Sequence, residues 1–147
     1  MRHFILAALV LIASTSAAGC GGTFLSRYGI RIQDDHIVFD DTIKFATGSD
    51  EILEESHDLL AGLAEILAEH PEIHTVSVEG HTDTTGDAAA NLALSNRRSA
   101  SVVNYLRAAG VAQTLQPRGF GETQPLCQEE TDECNARNRR VELVIVN

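Results

Sequence analysis

Ile73-His74-Thr75-Val76-Ser77-Val78-Glu79, running into Gly80-His81-Thr82-Asp83, is where the fold is decided. His74, Val76 and Val78 alternate with Thr75, Ser77 and Glu79, the period-two pattern of a half-buried strand. A polar loop from Gly80 to Asp87 follows. The next segment, from about Ala88 to Ala109, places Leu92, Ser99, Val102, Val103 and Leu106 on one side of a helix, with Gly110 as its stop. Leu115 to Phe120 is again short and strand-like. Strand, helix and strand in this order imply parallel neighbours joined by a right-handed crossover.

Working outward, Ser49 can cap an earlier helix, with Asp50 and Glu51 in its first turn. Leu53, Leu60, Leu63 and Leu67 then form its apolar stripe, and His70-Pro71 ends it, because a residue before proline disfavours helical backbone. Ile37-Val38-Phe39 and Ile43-Lys44-Phe45 are strand-like pieces broken at Asp40-Asp41. At the far end, Val141 to Val146 is a strand apolar enough to be covered on both faces. The expected fold is an α/β two-layer sandwich, with helices on one face of a small mixed β-sheet, in a domain spanning residues 36–147.

The chain has 147 residues and 21 acidic against 11 basic side chains, a net charge of -10. Nucleic acid is excluded as a partner, since neutralising phosphates needs a basic surface. Residues 1–19 read as a signal peptide: Arg2 and His3 are followed by an apolar run from Phe4 to Ala13 and small residues from Ser14 to Gly19. The uncharged run is shorter than the ~20 apolar residues of a spanning helix. Ala17-Ala18-Gly19-Cys20 resembles a bacterial lipobox, with Ala17 where Leu is usual, which would make Cys20 the acylated first residue. Residues 20–35 then form a tether. Cleavage there would remove one Arg and no acid, leaving a net charge of -11. Cysteine arithmetic agrees, since pairing Cys127 with Cys134 in a disulfide leaves only Cys20 over.

Gly80-His81-Thr82-Asp83 sits at the end of a strand, where such sheets bind ligands. Arg98 falls in the first half of the following helix. A guanidinium can grip a carboxylate bidentately and a carboxylate can take an ammonium, so Asp83 with Arg98 suits a zwitterionic, amino-acid-like ligand. Spacing alone also allows a plain ion pair between the two. Arg139 and Arg140 read as anchors of the last strand through ion pairs. His81 and Asp83 could be two metal ligands, but two seldom make a site, and no metal or cofactor is assigned. The Gly-x-Ser-x-Gly elbow of a serine nucleophile does not occur.

Four motifs occur in order: Gly80-His81-Thr82-Asp83; Asn91, Leu94, Ser95 and Arg98; Gly119-Phe120-Gly121-Glu122 with Pro125; and Asn138-Arg139-Arg140-Val141-Glu142. Together they resemble the OmpA-like C-terminal domain of peptidoglycan-associated lipoproteins and flagellar stator proteins, over Ile37 to Asn147. The resemblance implies a non-enzymatic βαβαβ domain that binds the diaminopimelate residue of the peptidoglycan stem peptide. Asp83 would take the ammonium and Arg98 the carboxylate, with Asn91 lining the site. Phe45, Ala46 and Thr47 would add mainly backbone contacts, although many members carry an acid where this chain has Ala46. The segment holding Cys127 and Cys134 varies in that family and reads as a peripheral, disulfide-pinned loop. The whole would be a lipoprotein on the periplasmic face of the outer membrane, held by acyl chains on Cys20, with Gly21 rather than Asp directing it there. Alternative readings are a module docking a Tol-type periplasmic protein, and the targeting domain of a wall-modifying system.

Overall fold

The computed structural model describes residues 27–146, so the signal peptide, Cys20 and the first part of the tether lie outside the described residues. Five strands, β1 (Arg31–Gln33), β2 (His36–Val38), β3 (Thr75–His81), β4 (Thr114–Gly121) and β5 (Val141–Val146), form one sheet in the order β1-β2-β5-β3-β4. β3 pairs in parallel with β4, and β5 lies antiparallel to both β3 and β2. The helices are α1 (His57–Glu69), α2 (Ala88–Ala108) and the short α3 (Asp132–Asn138). β3, α2 and β4 make the expected strand–helix–strand unit, and the fold is the expected α/β sandwich with a mixed sheet.

The core lies between the sheet and the two long helices. Leu60, Leu63 and Leu67 of α1, Val102 and Leu106 of α2, and Val76, Val78 and Leu143 of the sheet are all 0% exposed. At the end of α2, Gly110 takes the left-handed conformation (φ 89°), and the amides of Gly110 and Val111 return to the carbonyls of Arg107 and Leu106. Pro117 sits in β4, an edge strand, the place in a sheet where a residue without an N–H is tolerated.

Several local expectations are corrected. The first helix does not begin at Ser49. Residues 44–53 fold back on themselves instead: Ala46 N–H donates to Glu51 O, Leu53 N–H to Lys44 O, and Phe45 bridges Ile52. Ser49 Oγ accepts from the Glu51 amide within this turn, so its capping chemistry serves a loop. Helical structure starts only with a 3₁₀ turn at Glu54–Ser56. Ile43-Lys44-Phe45 is accordingly not a sheet strand, although Ile43 is buried. β1 occupies part of the segment read as tether, in a hairpin whose turn residue Asp34 has φ 55°; three residues are too few for alternation to show. β5 is fully covered only on the helix side: Val141 and Leu143 are buried while Glu142 and Val144 are half-buried.

Leu92 is the most instructive miss, 46% exposed where the helical stripe placed it inside. The first half of α2 lies against glycines. A Cβ on Gly80 would come 2.4 Å from Ser95 O, and one on Gly119 2.3 Å from Asn96 N, both backbone atoms. At that separation only small side chains fit beneath the helix, and Ser95 and Ser99, both 0% exposed, fill the contact. Ser95 Oγ accepts from Gly121 N–H at 2.9 Å and Asn96 Oδ1 from Gly119 N–H at 3.0 Å, stitching the helix to the end of β4. The close approach holds the start of α2 beside the loop that precedes it.

Candidate ligand-binding site

Four segments meet where β3 gives way to α2: the fold-back loop of residues 44–53, the loop Thr82–Asp87, the first half of α2, and the junction of α3 with β5. Asp87 caps α2 by accepting from Ala90 N–H at 2.8 Å. Asn91 braces the loop from the helix side, its Nδ2 donating to Asp83 O (3.3 Å), Thr85 O (3.1 Å) and Glu122 Oε2 (2.8 Å). The amide donors of Asn91 are thus spent on the protein, where they brace the loop that carries Asp83.

Asp83 is not the exposed group that a surface loop would suggest. Its side chain is 12% exposed; Oδ1 accepts from Thr85 N–H at 2.9 Å and Oδ2 from Arg139 Nη1 at 2.6 Å. Burial pushes its pKa up, but the bonds from Arg139 and Thr85 outweigh this and leave it below the usual value. Asp83 and Arg98 do not form the plain ion pair that spacing allowed. Asp83's partner is Arg139, which therefore does not anchor β5 as expected but reaches the loop. Only Arg140 has the anchoring role, pairing from just before β5 with Glu142 inside it at 2.5 Å. Arg139 stands in the Asn138-Arg139-Arg140 motif, but nothing in the motif says which arginine turns toward the loop.

Arg98 is held from beneath. Its Nε donates to Ser49 O at 2.9 Å, and its guanidinium carbon lies 5.0 Å from the centre of the Phe45 ring. Burial and the nearby charge of Arg139 lower its pKa; Asp50 and Asp83 act the other way. An arginine keeps its charge throughout. Both Asp83 and Arg139 therefore lie within electrostatic reach of Arg98. Its Nη1 and Nη2 have no protein acceptor among the described residues. Phe45 contributes its ring to this seat; the backbone of Ala46 is consumed within the loop by Glu51 and Ser49, and Thr47 is exposed at the tip. Arg97 and Ser101 hold the same loop through Asp50, at 3.4 and 3.3 Å.

Cys127 and Cys134 are joined in the expected disulfide. The loop it closes is exposed from Gln128 to Glu133, as expected, but its anchor is buried. Cys134 and Asn138 are buried, and Asn138 Oδ1 accepts from Leu126 N–H (2.8 Å) and Cys127 N–H (3.3 Å), while its Nδ2 donates to Cys127 O (3.0 Å). The disulfide loop thus fixes the residue next to Arg139.

The profile of the OmpA family matches residues 44–139. The chain is 33% identical over 114 residues to the probable lipoprotein YiaD of Escherichia coli, covering 76% of this chain but only 52% of that one. It is 32% identical over 124 residues to the outer-membrane lipoprotein YfiB of Pseudomonas aeruginosa, covering 82% of this chain and 73% of its relative. The crystal structure of the peptidoglycan-associated lipoprotein from Burkholderia pseudomallei superposes with a TM-score of 0.62 at 28% identity, over 71% of this chain and 87% of that one.

Proposed function

The chain belongs to the OmpA family, and on that premise we propose that it is an outer-membrane lipoprotein whose periplasmic domain binds peptidoglycan noncovalently and ties membrane to wall. The observation that carries this reading is the seating of Arg98: a guanidinium fixed by Phe45 and Ser49, with both terminal nitrogens uncommitted among the described residues, and within electrostatic reach of the carboxylate of Asp83. The names of its relatives, lipoproteins and peptidoglycan-associated proteins, support the same reading.

The ligand is a group with a free carboxylate and a nearby ammonium, as in the diaminopimelate of a stem peptide. Its carboxylate lies across Nη1 and Nη2 of Arg98 in two parallel charge-assisted bonds. Because the guanidinium is already stacked and hydrogen-bonded, little rotamer freedom is lost on binding. The ammonium goes to Asp83, whose oxygens each accept one protein bond and keep further lone pairs. Arg139 holds that carboxylate ionised and in place. Thr47 contributes from the rim. The domain performs no chemistry on the ligand.

Residues 1–19 act as the export signal and acyl chains on Cys20 hold the membrane end; two chains give stable anchoring where one does not. The site is tested with purified sacculi. Arg98→Ala removes the bidentate partner, and binding falls by about 2–5 kcal/mol, roughly 30-fold to several thousand-fold. Equal sedimentation of wild type and a folded Arg98→Ala protein with sacculi removes Arg98 from the site.

A further inference from the structure

The other face of β3 carries a second group of polar residues, which peptidoglycan recognition does not use. Gly80 turns its Cα toward α2, so Glu79 lies on the face of the sheet away from that helix. Glu142 is its direct partner across the β3–β5 ladder and shares that face. Two like charges placed opposite each other on neighbouring strands repel. Next to them His81 is 2% exposed, stacked on Phe120 with ring centres 5.4 Å apart, and neither of its ring nitrogens has a hydrogen-bond partner. A buried imidazole with both nitrogens unpaired is rare in a folded protein. One nitrogen of His81 and one oxygen from each glutamate lie within 4.8 Å of one another.

We propose that Glu79, His81 and Glu142 bind one divalent transition-metal ion of the zinc class on the open face of the sheet. The donor set of one imidazole and two carboxylates suits Zn²⁺, Co²⁺ or Ni²⁺; calcium and magnesium prefer oxygen alone. Each carboxylate is already oriented from one side. Ser77 Oγ donates to Oε1 of Glu79 at 2.7 Å, and Arg140 Nε donates to Oε1 of Glu142 at 2.5 Å. Neither Oε2 has a protein donor among the described residues. Outer hydrogen bonds that aim the ligands in this way are usual around metal ions.

Ligands about 2.1 Å from a tetrahedral zinc stand roughly 3.4 Å apart, so the group closes by about 1 Å or a little more on binding, within the reach of glutamate rotamers. Two carboxylates outweigh the single charge of Arg140, and the ion relieves the repulsion between them. The side chain of Glu142 is 29% exposed, which leaves a path from solvent. The fourth position is open to water. No metal site was expected from sequence, because the third ligand comes from a strand far along the chain and only the sheet register brings it opposite Glu79.

The full chain, extracted in detergent and stripped with EDTA, is titrated with Zn²⁺ by calorimetry and with Co²⁺ for its ligand-field spectrum. One equivalent binds, the side-chain nitrogen resonances of His81 shift, and Glu79→Gln or Glu142→Gln each weakens binding by more than about tenfold, since even an outer-ligand change costs that much. Both substitutions are at half-exposed positions and keep the backbone pairing. The surface pairs His36–Asp35 and His70–Glu72 could also take up zinc. Binding of the same affinity and stoichiometry in the doubly substituted protein, or wild-type binding that leaves the His81 resonances unmoved, overturns the proposal. So does a folded wild type that takes up no ion. Arg98→Ala leaves metal uptake unchanged, so the two sites are tested separately.

Discussion

The helix-covered core and the loop end above it are built on different principles. In the core, Leu60, Leu63, Val76, Val102 and Leu143 are held by burial alone, a force without direction. At the loop end, Asp83, Asn91, Ser95, Asn96 and Asn138 are held by directed hydrogen bonds, most of them to backbone atoms of other segments. The core should therefore respond to changes of volume, and the loop end to changes of donor and acceptor. On the proposed function, stability resides mainly in the first and recognition in the second. The glycine contacts beneath α2 are the seam between them.

The sharpest test of this division is Leu63→Ala. It empties a fully buried position and should cost about 2–5 kcal/mol of stability, read from denaturant unfolding. Sacculus binding by the fraction that remains folded should be unchanged. A loss of affinity parallel to the loss of stability would mean that core and loop end are not separable.

Cys127→Ser with Cys134→Ser comes next. Releasing the small disulfide loop should cost about 2–3 kcal/mol on the chain-entropy account. Here the comparison blurs, because Asn138 is held by this loop and stands next to Arg139. We expect sacculus affinity to fall several-fold as well, an effect that a peripheral loop would not have. Unaltered affinity in the reduced but folded protein would restore the loop to the periphery.

The smallest effect is expected from Arg139→Ala, which leaves the recessed Asp83 carboxylate without its charged donor, at about 1–3 kcal/mol. It has a signature in acid. Asp83's folded pKa lies below its ordinary value of 3.8, so its contribution is complete above that value and is lost as pH falls through the lower folded one. Without Arg139 the folded pKa rises, and acid unfolding of the variant should begin at a higher pH than in wild type. Coincident acid profiles would show that Arg139 does not stabilise the ionised Asp83.

Much of the fold was legible where one periodicity ran long enough. The leucine stripe of α1 records burial on a single face, and burial leaves a period in the sequence; the alternation at Ile73–Glu79 marked a strand, although Ser77 on its polar side is buried as well. What escaped had no period to leave. α3 is a capped helix of about two turns, with Thr131 accepting from the Cys134 amide, inside a stretch of polar residues. The start of α1 was misplaced because Ser49 and Asp50 favour helix caps and tight turns alike. The choice was made by backbone bonds to Lys44 and Ala46.

By itself the sequence determined the strand–helix–strand unit, the pairing of the two cysteines within the domain, and the family to which the four ordered motifs point. Tertiary structure alone decided which arginine meets Asp83, which face of β3 each motif residue takes, and how close α2 comes to the sheet. The physical reason is the range of the interactions. Periodic burial is a local average over many residues and survives the loss of any one. An ion pair such as Arg139 with Asp83 joins two residues distant in the chain through one bond of 2.6 Å. Its partners are settled only when the strands that carry them have found their register.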